Sequence, residues 1–155
     1  MINITMYEVA LVKEHTKRYD FEHQSISNPT EAVNLFCEVF HLDTLAEEKM
    51  VMFTLNTKNK ITGAFTVSHG EVDLTVTSPR EIFKRALLTN SSSIMLAHNH
   101  PSGESAPSKE DINTTKRLVA VGKLLGIELL DHIIIPHGER RDHAVSLRSS
   151  QIGAF

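Results

Sequence analysis

Two histidines one residue apart stand in the stretch Leu96-Ala97-His98-Asn99-His100-Pro101-Ser102-Gly103, and Ser108-Lys109-Glu110-Asp111 follows shortly after. Two imidazoles and one carboxylate suit a divalent zinc ion. Three protein ligands leave its fourth position open to water, which separates a catalytic site from a closed structural one. His98, His100 and Asp111 are therefore candidate ligands of one zinc ion, and metal-assisted hydrolysis is the chemistry they would serve.

Such a site must be built by the elements around it. Ser93 to Ala97 reads as a short buried strand running directly into His98. Alternate side chains of extended backbone project to one side, so both imidazoles can reach one ion. Asp111 falls in the first turn of the next helix, and the loop from Pro101 to Pro107 folds that turn back toward the strand end. A helix N-terminus also offers unpaired N–H groups there. A plainer reading competes: Ser108 and Asp111 stand at capping-box spacing and could serve the helix start alone. An isolated His-x-His is common on strand surfaces too. The conjunction of strand, His-x-His, Pro-Ser-Gly loop and first-turn acid favours the metal. The letters His98-Asn99-His100 spell a nuclease motif, but that motif disperses its residues over a longer unit, so the tripeptide is no sign of it.

At 155 residues the chain is expected to form a single domain, with 41% hydrophobic and 23% charged residues. No apolar run is long enough to span a bilayer, and Met1-Ile2-Asn3-Ile4 lacks the pattern of a signal peptide. A formal net charge of −3 gives no electrostatic support for nucleic-acid binding. The single cysteine, Cys37, excludes an internal disulfide and fits a cytoplasmic setting. It lies in an apolar helical pattern and reads as a packing residue. Of nine histidines, only His98 and His100 have ligand spacing.

Residues 2–12 read as an N-terminal strand and Lys13 to Ser27 as a polar loop, so that residues 1–28 precede a globular unit over 29–155. Asn28 and Pro29 start a helix with Ala32, Val33, Phe36, Val39 and Phe40 on its apolar face. Met50 to Leu55 reads as a central strand covered on both faces. Asn56 to Lys60 is turn chemistry, and Ile61 to Val67 completes a hairpin. Val72, Leu74 and Val76 suggest a further strand. Ser78-Pro79-Arg80-Glu81 opens a helix. Ser108 opens another, which Gly126 ends. Ile127 to Ile135 and Ala144 to Leu147 are the last strands. Interleaved strands and helices predict an α/β (α+β) fold with a mixed sheet.

His98-Asn99-His100-Pro101-Ser102-Gly103 with Ser108 and Asp111 resembles the JAMM (MPN-type) metalloprotease signature: an upstream glutamate, His-x-His, seven residues, serine, two residues, aspartate. The chain is more closely similar to the RadC family of JAMM-like domains, from about Pro29 to Leu147. Pro79 to Ala86 resembles that family's helix before the site, Leu125 to His132 its strand after it, and Val145-Ser146-Leu147 its ending. The resemblance implies a mixed β-sheet flanked by helices, as in JAMM and cytidine deaminase-like domains. It implies zinc on His98, His100 and Asp111, and a Ser108 hydrogen bond to the oxyanion of a tetrahedral intermediate. The family's glutamate opens the first core strand. Glu48 best fits that place, Glu47 is the alternative shifted by one residue, and Glu71 and Glu81 are weaker candidates. Adjacent strand side chains point oppositely, so only one of Glu47 and Glu48 can face the metal.

Longer RadC proteins carry a helical region of DNA-binding character before this domain. Here about 28 residues precede it, with no basic patch, so the DNA-repair association of the family name finds little support. Gly70-Glu71 and Ser78 also depart from the family's usual residues. The leading function is a zinc-dependent hydrolase of amide or isopeptide bonds in a peptide or protein substrate. The alternatives are a non-catalytic JAMM-like interaction module and a metal-dependent nuclease. A two-metal nuclease would call for more clustered carboxylates than Asp111 and Glu48.

Overall fold

The computed structural model describes residues 1–21, 25–70, 78–138 and 140–155. Its order over the described residues is α1 (Pro29–Phe40), β1 (Lys49–Leu55), β2 (Ile61–His69), α2 (Pro79–Leu88), β3 (Ser93–His100), α3 (Lys109–Leu125), β4 (Glu128–Pro136), a 3₁₀ turn (Arg141–His143) and β5 (Val145–Ser146). Five strands form one mixed sheet in the order β2-β1-β3-β4-β5. β1 is antiparallel to β2 and β3, β3 and β4 are parallel, and β5 returns antiparallel to β4. The parallel pair needs a crossover, which α3 supplies.

The two faces of the sheet have separate cores. On one side Ala32, Val33, Phe36 and Cys37 of α1 pack on Val51, Phe53, Met95, Ala97, Ile133 and Ile135. On the other, Ile82, Phe83 and Ala86 of α2 and Leu118 of α3 cover Met50, Met52, Ile94, Leu96 and Leu129. β1 and β3 are central strands with helices on both faces, so they are buried almost throughout and read as continuous apolar runs. The expected α/β class is the observed one.

Local signals set the helix ends. Asn28 caps α1 by accepting from Glu31 N–H at 2.9 Å, with Pro29 in the first turn. α3 ends at Gly126 in the left-handed conformation, φ 69°. Near that end Gly122 lies against the link into β4, where an added Cβ would meet the Ile127 carbonyl oxygen at 2.4 Å.

The expected N-terminal strand is not formed: residues 2–12 carry no regular element, and Ile2, Ile4, Met6, Val9 and Val12 are exposed. Their alternation suits a strand, but a strand persists only where a neighbour pairs with it and an apolar face covers it. The strand expected at Val72–Val76 lies outside the described residues. β3 runs three residues beyond the expected end, so His98, Asn99 and His100 are part of the sheet. Cys37 is buried, and burial pushes its thiol up to about 12, with Asp43 adding to the effect.

Candidate metal centre

The strand alternation that sends Leu96 toward α3 sends His98 and His100 the same way, and turns Asn99 toward the α1 side. Because β1 is antiparallel to β3, with Met50 opposite His98, the start of β1 lies at the end of β3 that carries His100. Glu48, two residues before Met50, meets the histidines there. One carboxylate oxygen of Glu48 and one nitrogen each of His98 and His100 all lie within 4.8 Å of one another. Glu47 points elsewhere, to within 3.3 Å of His69 Nε2 on the surface. Glu81 pairs with Lys84 and Arg85 on α2, and Glu71 is outside the described residues.

Asp111 reaches the same point from α3. Its Oδ1 is 3.2 Å from His98 Nε2 and its Oδ2 3.6 Å from His100 Nε2. The carboxylate is held by the capping box. Ser108 N–H donates to Asp111 Oδ2 at 2.7 Å, and Asp111 N–H donates to Ser108 Oγ at 3.0 Å. Capping and site-building are therefore one arrangement: the bonds that start α3 also aim Asp111 at the histidines.

The donor set fits a cation. The two Nε2 atoms face each other at 3.0 Å. His100 Nδ1 lies 2.8 Å from the Glu104 carbonyl, which can only accept, so Nδ1 carries a proton and Nε2 is the nitrogen turned to the site. Asp111 Oδ1 is buried with no hydrogen-bond partner. Two imidazole nitrogens and a buried carboxylate oxygen without a hydrogen bond suit a positive charge between them.

The ionisation of the groups follows. Asp111 lifts His100 above the ordinary imidazole range; burial opposes this and the Glu104 carbonyl adds to it. Burial works to raise Asp111, but the His100 and His98 rings and the Ser108 N–H outweigh it and hold the carboxyl well below the usual range. Burial pushes Glu48 upward, His98 and His100 pull it back in part, and Asp111 raises it further.

Three polar residues at the site escaped the sequence reading. Asn99 is fully buried and bonds to the chain around Glu48. His132 on β4 is fully buried, with Nε2 2.8 Å from His98 Nδ1. Burial, with the neighbouring His98 second, pushes His132 down to about 3. Thr115 on α3 lies 2.7 Å from His132 Nδ1. Of the three, His132 carried a signal in the sequence, a polar residue inside the apolar run Leu129-Leu130-Asp131-His132-Ile133-Ile134-Ile135.

The comparisons agree with this architecture. A family model described as a RadC-like JAB domain matches residues 26–152. The chain belongs to that RadC-like JAB family. The match contains every site residue named above. A UPF0758 protein of Caldanaerobacter subterraneus subsp. tengcongensis is 44% identical over 117 residues, covering 76% of this chain and 49% of that protein. A UPF0758 protein of Clostridium tetani is 43% identical over 135 residues, covering 84% of this chain and 58% of its own length. One from Methanosarcina acetivorans is 51% identical over 92 residues, 59% of this chain. The chain thus spans about half the length of the relatives it matches. Glu48, His98 and His100 of this RadC-like JAB domain could hold a metal ion. No helix among the described residues is long and apolar enough to cross a membrane.

Proposed function

We propose that this RadC-like JAB domain is a zinc-dependent hydrolase of amide or isopeptide bonds in a peptide or protein substrate. The observation that carries the reading is the meeting of Glu48, His98 and His100 within 4.8 Å beside an Asp111 oxygen that has no hydrogen bond. His98, His100 and Asp111 would hold the ion. Asp111 is the ligand of the two acids because it is fully buried and fixed by Ser108. A bound zinc ion would supply Lewis acidity and bring the pKa of a water from 15.7 to roughly 7.

Glu48 is half-buried, and burial raises its carboxyl toward the range where a general base works. It takes a proton from the attacking water and returns it to the leaving nitrogen. Ser108 Oγ accepts from Asp111 N–H, which leaves its own hydroxyl proton free. That proton is donated to the oxygen on which charge develops. The net charge of −3 favours a peptide over a nucleic acid.

The test is metal analysis of the purified chain, followed by assay on peptide and isopeptide substrates. Glu48→Gln should keep the metal and lose turnover, while His98→Ala should lose both. A wild-type chain that binds no zinc, or a Glu48→Gln variant with full activity, would overturn the reading.

A further inference from the structure

We propose that His132 is a positioning residue that locks the tautomer of His98. It accepts a hydrogen bond from His98 Nδ1–H and passes its own Nδ1–H to Thr115. His98 Nε2 is thereby kept bare toward His100 and Asp111. The inference rests on the metal reading above for its purpose, though not for its geometry.

The direction of each bond follows from the far end of the chain of contacts. Thr115 Oγ has one proton, and it goes to the Asp111 carbonyl at 2.7 Å. Toward His132, 2.7 Å away, Thr115 can therefore only accept, and His132 Nδ1 must be the donor. His132 is fully buried, and among the described residues its ring nitrogens meet only Thr115 and His98, with no carboxylate bonded to the ring, so the ring is neutral and its Nε2 has only a lone pair. That lone pair faces His98 Nδ1 at 2.8 Å, and His98 must supply the proton there. In the neutral ring that a metal requires, the remaining nitrogen, His98 Nε2, is left without one.

It is this atom that stands 3.0 Å from His100 Nε2 and 3.2 Å from Asp111 Oδ1. The Glu104 carbonyl does the same for His100 from the opposite side. The relay also closes on itself. Thr115 is one turn from Asp111 on α3, so the helix that presents the acid also fixes the tautomer of the first histidine. A metal-binding imidazole is commonly oriented through its second nitrogen in this way. Here an imidazole and a hydroxyl stand where a carboxylate or carbonyl is more usual.

Two measurements on the full chain test this. Long-range ¹H–¹⁵N NMR of the chelator-treated protein should show His98 and His132 both protonated at Nδ1. A proton on His98 Nε2 alone, or on His132 Nε2, overturns the relay. Zinc affinity, by competition with a chromogenic chelator, should fall about 10- to 100-fold in His132→Phe. His132→Gln should recover most of it, since its side-chain oxygen can accept from His98 Nδ1–H. A folded His132→Phe variant with wild-type affinity overturns the proposal. Should that variant fail to fold, Thr115→Val takes its place: it removes the acceptor for His132, and unchanged affinity there counts equally against the relay. A wild-type chain that takes up no zinc sinks the metal reading instead, and the NMR tautomers then report on the relay alone.

Discussion

Asn99 grips the main chain on both sides of Glu48. Its Oδ1 accepts from Lys49 N–H at 2.8 Å, and its Nδ2 donates to the Glu47 carbonyl at 3.0 Å and the Leu45 carbonyl at 3.4 Å. The residue between the two histidines thus faces the other side of β3 and fixes the strand start from which Glu48 projects. One tripeptide contributes both ring nitrogens and the clamp that brings the acid to them.

Asn99→Leu should destabilise the fold by about 2–3 kcal/mol, because it strips partners from backbone groups in a buried setting. Urea unfolding measures this. Zinc content should survive, since neither His98 nor His100 depends on the clamp, while turnover should fall with the loss of Glu48 alignment. A variant that loses stability but keeps full turnover would show that Glu48 is placed without Asn99.

On the proposed reading Ser108 has two separable duties, a cap and a proton donor. Ser108→Ala removes the cap and should cost about 1 kcal/mol of stability, together with turnover. Ser108→Asp restores an acceptor for Asp111 N–H but has no proton to donate. It should regain stability in thermal or urea unfolding and stay impaired in turnover. Equal recovery of both would make Ser108 a cap only.

Gly122→Ala reverses the usual helix rule. Alanine is ordinarily the better helix former by about 1 kcal/mol. Here the new Cβ would sit 2.4 Å from the Ile127 carbonyl oxygen, which is backbone and has little freedom to yield. The same Gly122 carbonyl accepts from Ile127 N–H at 2.9 Å. The variant should lose more than about 2 kcal/mol in urea unfolding, and a stabilised variant would contradict the close packing of α3 on the start of β4.

Asp131 sets a pH dependence of stability. Burial raises its carboxyl above the ordinary carboxylate value, with hydrogen bonds from Ser146, Arg148 N–H and His132 N–H opposing the rise. The folded pKa therefore exceeds the unfolded one. Its contribution is fully present below the unfolded value and is lost as pH rises through the folded value. Relative to Asp131→Asn, the wild type should gain stability as pH falls from about 7 to about 4. Denaturant titrations of both proteins across that interval measure the gap, and a gap that shrinks on acidification would reverse the assigned direction.

The hairpin of β1 and β2, the capped starts of α1 and α3, and the class of the sheet were legible because each depends on residues close in the chain. Asn28 meets Glu31, Ser108 meets Asp111, and Gly126 follows its helix directly. The misread strand at 2–12 shows the limit of pattern. Its alternation is real, yet no strand pairs with it among the described residues.

Sequence by itself determined the candidate ligands His98, His100 and Asp111 and the capping-box spacing of Ser108 and Asp111, since one strand, one loop and one helix turn place them together. Only the tertiary structure decided between Glu48 and Glu47, because the β1–β3 register chooses which side chain faces the histidines. It alone brought Asn99 to the chain around Glu48, and His132 and Thr115 behind His98. Those contacts join β1, β3, α3 and β4, whose arrangement depends on packing across the whole sheet and has no local signature in the order of residues.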